Sequence, residues 1–323
     1  MISLFKNSLV KFLFGFGFCI AASAAYPDRS IKLVVPFPAG GAADFMARGL
    51  ANKMSAEVGQ SVIVENKSGA GGLTASEFVA KSPADGYTLL FGTMGTHAIN
   101  PSLYRNLRYD TLKDFSPITL THITPRVLVV NAALPVNSIA DLIIFAKKNP
   151  SSLSYGSAGS GSSSHLSGAL FASLAGIEMI HVPYKGSAPL MTDVLTGRVN
   201  MTFDSYTVYA PYIRSGKVKA LGVTSLERMT VLPHVPTMIE GGLKSYEVQN
   251  WLGLLAPAGT PDPIIKLLNS AVIQSLKSPE LRAQLNELGI EAKTSTPEKF
   301  AELIRIDILK WSDIVKKSGA TAD

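Results

Sequence analysis

The chain has 323 residues, with 30 Lys and Arg against 24 Asp and Glu, a formal net charge of +6. Its basic residues are scattered and no run of five like charges occurs, which argues against a nucleic-acid partner. The single cysteine, Cys19, excludes an intrachain disulfide, and its place near the N-terminus leaves the rest of the chain with neither a thiol nucleophile nor a Cys-ligated metal.

Lys6 and Lys11 lead into an apolar stretch from Phe12 to Ile20, followed by Ala21, Ala22, Ser23, Ala24 and Ala25. This order of charge, apolar core and small residues predicts a signal peptide over residues 1–25, cut before Ala25 or Tyr26. A membrane anchor is the alternative, but the apolar core is shorter than the roughly 20 residues a spanning helix needs. Phe18, next to Cys19, puts a bulky ring where a lipid-modified cysteine takes a small residue. Without Lys6 and Lys11 the chain keeps 28 basic against 24 acidic residues, a formal +4, over a length sufficient for two domains.

Apolar β-branched runs alternate with helical spacing from residue 31 onward. "IKLVVPF" (31–37) predicts a strand and "DFMARGLANKMSAEVG" (44–59) a helix; "SVIVENK" (61–67) predicts a second strand, followed by a "GAGG" turn and a helix to about Lys81. "YTLLFGT" (87–93) and "RVLVVN" (126–131) read as buried strands, and "SIADLIIFAKKNP" (138–150) as a helix capped by Ser138. Strands separated by helices of this length predict parallel α/β sheets. "LSYGSAGSGSSSHLSGALFASLAG" (153–176) repeats the opening order of strand, small-residue loop and helix. "GVTS" and "VQNWLGLLAPAGTP" (248–261) give later strands, and amphipathic helices are predicted near 262–287 and 297–316. Two halves of one design predict two lobes facing each other.

The small-residue loops carry the chemistry. Gly40 and Gly41 lie between a strand and a helix, where unpaired N–H groups and the helix dipole favour an anion, and Pro36 and Pro38 stiffen the approach. Asp44 has a structural role open to it as well, capping the helix and pairing with Arg48 one turn on. "SAGSGSSS" (157–164) offers hydroxyls and N–H donors before a helix beginning near His165. "GTMGTHAINP" (92–101) adds Thr93, Thr96 and His97, and Asp204 stands at a strand end, where ligands bind in α/β sheets. Ser162 and His165 raise the alternative of a serine hydrolase, but no G-x-S-x-G, G-x-G-x-x-G, P-loop or H-E-x-x-H occurs, and the five histidines show no metal-ligand spacing. No cofactor or metal is expected.

"YPDRSIKLVVPFPAGGAADFMAR", "VENKSGAGG", "PADGYTLL", "YGSAGSGSSSHL", "HVPYKG" and "FD" stand in one order that resembles the extracytoplasmic solute receptors of tripartite tricarboxylate transporters, the Bug-type binding proteins. The resemblance implies an α/β, two-lobed type II periplasmic binding protein fold, with residues 26–124 and 250–323 in one lobe and 125–249 in the other, joined by crossings near 122–126 and 246–252. It implies a monomer in the periplasm that closes over a small organic acid and hands it to membrane permease subunits; a sensory co-receptor presenting the same closed state is the alternative use. Matched position by position, the ligand contacts would be Phe37, Ala39, Gly40, Gly41, Thr93 and Thr96 from one lobe and Ser157, Ala158, Gly159, Gly161, Ser162 and Asp204 from the other, in arginine-free loops.

Overall fold

The computed structural model describes residues 26–246, 248 and 250–322; the expected signal peptide lies outside them. The chain opens with β1 (Ile31–Val35), α1 (Ala42–Val58), β2 (Val62–Asn66), α2 (Leu73–Ala80) and β3 (Thr88–Thr93). A π-helical turn (Gly95–Ile99) then runs into the one-turn helix α3 (Asn100–Leu103), and β4 (Phe115–Ile123) follows. The middle of the chain is β5 (Arg126–Asn131), α4 (Ile139–Lys148), β6 (Ser154–Ser157), α5 (Ser163–Ala175), β7 (Ile180–Pro183), α6 (Ser187–Leu195), β8 (Met201–Ser205), α7 (Tyr206–Arg214) and β9 (Val218–Val223). It ends with β10 (Trp251–Pro257), α8 (Asp262–Ser275), α9 (Pro279–Glu287), β11 (Glu291–Ala292) and α10 (Pro297–Ser318).

These strands form two mixed sheets, one in the order β11-β4-β10-β3-β1-β2 and one in the order β7-β6-β8-β5-β9. The expectation of parallel sheets holds for β1 with β2 and β3, and for β6 with β7 and β8, but not where the chain passes between sheets. There β4 leaves the first sheet and β10 returns beside it, antiparallel, with Ile123 opposite Trp251, and the Thr124 N–H donates to the Asn250 carbonyl at 2.8 Å. Two strands that carry the chain out and back side by side must run in opposite directions, so β10 is antiparallel to β3 and β5 to β8 and β9.

Burial follows from alternation along these strands. In β1, Ile31, Leu33 and Val35 point into a core with Leu50 and Met54 of α1 and Leu268 and Val272 of α8, while Val34 points through the sheet to the opposite face. Where the strand is covered on both faces it has no polar positions to spare, which is why Leu33, Val34 and Val35 are apolar in succession, with Lys32 exposed near the strand's start. β5 divides likewise, Val127 and Val129 on one side, Leu128 and Val130 on the other. The second faces of both sheets share one core, filled by Leu166 and Phe171 of α5 and by Phe300 and Trp311 of α10.

Sequence spacing left two local features unread. β4 contains Pro117, which argues against a strand, and the pairing accommodates it at an irregularity between Leu254 and Leu255 of β10. The helix expected over 262–287 is two helices, because Pro279 removes a backbone donor and Ser278 restarts the structure, its hydroxyl accepting from the Leu281 N–H. Ser138 caps α4 as its position predicts, accepting from the Asp141 N–H at 3.0 Å.

Candidate functional site

β1 ends at Val35, and the chain turns through Pro36 to Gly41 into α1, whose N-cap is Gly41. Gly40 holds φ at +81°, a left-handed conformation that a side chain would strain. The buried Asp44 organises this turn: one carboxylate oxygen accepts from the Gly40 N–H and from Arg48 Nε, each at 2.9 Å, and the other accepts from Asn66 Nδ2 at 3.0 Å. Arg48 above all, with Gly40 and Asn66, holds the Asp44 carboxyl down at about 2 against the cost of burial. The amide of Gly40 is therefore engaged inside the turn. The donors left over at this end are those of the first helical residues, Ala42 and Ala43, which have no carbonyl one turn back.

The facing loop is tied down as tightly. Ser162 is the N-cap of α5 and accepts from the His165 N–H, while its hydroxyl donates to the Gly159 carbonyl at 2.6 Å. The Ala158 N–H donates to Ser164 Oγ at 2.9 Å, and the Gly161 N–H to His165 Nδ1 at 3.0 Å. Ser157 Oγ lies 2.7 Å from His181 Nε2, and the rings of His165 and His181 stack with centroids 3.8 Å apart. Gly/Ser content here builds a closed turn, not a linker. His165 Nδ1 is occupied by Gly161, and Ser162 Oγ bonds with Gly159, Ser164 and the His165 amide, so these residues are not arranged as nucleophile and base.

Both helix N-termini open into one cleft of about 790 Å³, within the range of small-ligand sites. Of the expected contacts, the structure brings nine to its walls: Phe37, Ala39, Gly40, Gly41 and Thr93 on one side, and Ala158, Gly159, Gly161 and Ser162 on the other. The remaining three stand outside the lining. Thr96 is buried and closes the turn after β3, its hydroxyl accepting from the Thr93 N–H at 2.9 Å and contacting His97. Ser157 is buried against His181. Asp204, 2% exposed, accepts from the Ser205 N–H at 2.7 Å and faces Arg126 Nη1 at 3.7 Å. The two sides meet where Gly161 lies against Leu103 of α3, so closely that a Cβ on Gly161 would stand 2.3 Å from a Leu103 methyl.

Sequence reasoning missed Asn100, Leu103 and Tyr104 around α3, and Thr124, Arg126 and Asn250 at the two crossings. Asn100 closes the loop at 92–101 but was not singled out there, and the other five stand in no small-residue loop. The loops themselves are arginine-free as expected, but Arg126 comes to the cleft from outside them: it is the first residue of β5, it lines the cleft, and its Nη2 donates to Ser163 Oγ at 2.7 Å. A second hollow, about 1110 Å³, lies between α5 and the end of α10 beside the stacked histidines. Lys185 is exposed and outside the cleft, and Trp251 is buried under α10, its Nε1 donating to Asp307 at 2.6 Å. Among the described residues no group of three or more His, Cys, Asp and Glu is placed to hold a metal, and no helix is long and apolar enough to cross a membrane.

The sequence profile described as the tripartite tricarboxylate transporter family receptor matches residues 46–320. Protein BugT of Bordetella pertussis is 36% identical over 296 residues, covering 91% of each chain. Two solved structures are similar over nearly the whole length. R. palustris Rpa4515 with adipate is 40% identical, covering 92% of this chain and 99% of its own at a TM-score of 0.79. MatC from Rhodopseudomonas palustris with bound malate is 35% identical, covering 90% and 100%, at a TM-score of 0.75.

Proposed function

The chain belongs to the tripartite tricarboxylate transporter receptor family, and from that premise we propose that it captures a small organic acid in the periplasm and delivers it to the membrane permease subunits of such a transporter. The observation that carries this reading is the cleft itself, where the N-termini of α1 and α5 face each other across a space of ligand size. Each presents unpaired N–H groups and the positive end of a helix dipole, and among the described residues no Asp or Glu lines the space between them. An anion of modest size is what such a space attracts.

In this reading residues 26–124 and 250–323 form one lobe and 125–249 the other, and the solute is held by Phe37, Ala39, Gly40, Gly41 and Thr93 on one wall and by Ala158, Gly159, Gly161 and Ser162 on the other. The main-chain donors come from the first turns of α1 and α5, since the amides of Ala158, Gly159, Gly161 and Ser162 are engaged within their own turn. Adipate in one relative and malate in another support a carboxylate as the solute. Neither the hydroxyl of Ser162 nor the His165 ring takes part in bond breaking, so the ligand leaves the protein unchanged.

A thermal-shift screen of the protein against organic acids and amino acids tests this. A ligand that binds only the native state adds about 2.7 kcal/mol at a hundred times its dissociation constant, a clear rise in midpoint. The expected result is a rise with one or more carboxylates that are recovered intact; an acid consumed during incubation, or no rise with any acid, would overturn the reading.

A further inference from the structure

Among the described residues, Arg126 is the only side chain lining the cleft that carries a full charge, and none of the described lining residues is Asp or Glu. Its backbone is fixed, the N–H donating to Thr224 Oγ1 at 2.9 Å and the carbonyl accepting from the Thr224 N–H at 2.9 Å. Its guanidinium is seated at the N-terminus of α5 by the bond to Ser163 Oγ. Of its five N–H donors, one is given to Ser163, and the nearest Asp204 oxygen, at 3.7 Å from Nη1, is beyond a good hydrogen bond. Nε is buried without a partner, and so is Oδ2 of Asp204. A guanidinium so placed is held in position yet under-used, and a carboxylate entering the cleft supplies what it lacks. Asp204 cannot serve a ligand in the same way, since it is 2% exposed, outside the lining, and spent on the Ser205 amide and the Arg126 charge.

We infer that Arg126 is the specificity-determining residue of the cleft, receiving one carboxylate of a dicarboxylate whose other carboxylate lies at the N-terminus of α1. This rests on the carboxylate-binding reading above and narrows it. The two anion-attracting ends lie on opposite walls, one supplied by neutral amides and one by a fixed cation. A monocarboxylate satisfies only one of them. An amino acid brings an ammonium group into a space with a cation and, among the described residues, no acidic side chain to receive it, so amino acids are turned away.

The test is calorimetric titration of the protein with succinate, malate and adipate, each beside the monocarboxylate of equal carbon number, butyrate, 3-hydroxybutyrate and hexanoate, and with 2-aminoadipate. Wild-type protein is expected to bind at least one dicarboxylate ten-fold or more tighter than its partner, and adipate ten-fold or more tighter than 2-aminoadipate, as a charge-assisted hydrogen bond implies at about that size. Arg126→Gln is expected to bring the dicarboxylate-to-monocarboxylate ratio close to one. Because Arg126→Gln leaves the buried Asp204 without its cation, the double variant Arg126→Gln/Asp204→Asn is measured beside it, and either folded variant serves. A folded variant that keeps the wild-type ratio, or wild-type protein that binds monocarboxylates or 2-aminoadipate as tightly as dicarboxylates, overturns the inference and leaves carboxylate binding standing. Wild-type protein that binds none of these acids overturns both.

Discussion

Asp44 shows how much one side chain decides. Its spacing from Arg48 announced an ion pair, which the structure contains, but its larger work is to hold the Gly40 amide and Asn66 and so to shape the turn before α1. Histidines divide in the same way between what spacing shows and what burial decides. His97 and His122 are fully enclosed and burial pushes each down to about 3; burial, then the neighbouring His181, pushes His165 down to about 4. An unfolded histidine titrates near 6.5. Between 6.5 and these lowered values the unfolded chain binds more protons than the folded one, so stability is complete above 6.5 and falls as the pH is lowered through that window. The cost is about 1 kcal/mol per buried histidine near pH 5.5, and the thermal midpoint is expected to drop by several degrees between pH 7.5 and 5.5. His165→Gln, whose amide oxygen can still accept from the Gly161 N–H, is expected to make that drop shallower; a midpoint that stays level or rises over this range would show that the histidines are not held neutral. Arg126 was present in the sequence as the first letter of "RVLVVN", where it reads as an ordinary strand start, and only the packing of β5 against the N-terminus of α5 turns it into a cleft residue.

At the scale of elements, the turn between β1 and α1 is the unit on which binding depends. Gly40→Val puts a β-branched side chain at a φ of +81°, where it costs about 1–2 kcal/mol of strain. A Cβ there meets nothing within 4 Å, so no core contact is broken and the protein is expected to fold. The turn relaxes by moving the loop, and organic-acid affinity is expected to fall at least ten-fold in titration while the circular dichroism spectrum is unchanged. Wild-type affinity in a folded Gly40→Val would mean that this turn is not part of the site. Most elements were legible from periodicity, because the buried stretches of strands such as β1 and β5 have to be apolar in succession and exposed helices have to be amphipathic. β4 escaped because Pro117 sits inside it, and the break between α8 and α9 escaped because the apolar spacing of 262–287 runs straight across Pro279. Strand direction was not legible at the crossings, since it is set by how the chain leaves and re-enters a sheet and not by any residue pattern.

The molecule as a whole is two mixed sheets joined by paired crossings, with one core shared beneath α5 and α10 and one cleft between the N-termini of α1 and α5. The repeat of strand, small-residue loop and helix made the facing arrangement legible in advance, because each loop had to bring its helix N-terminus to a strand end. The residues between the two loops were not legible, for they come from crossings and from a one-turn helix that carry no repeat. Gly161 against Leu103 shows the walls already in contact at one edge, and a ligand held there would be enclosed by both sheets. The most direct measurement is the crystal structure of the protein grown with adipate. The expected result is a carboxylate between Ala42–Ala43 of α1 and the loop before α5; adipate placed instead in the hollow beside His165 and His181, or absent from a cleft of unchanged shape at saturating concentration, would contradict it.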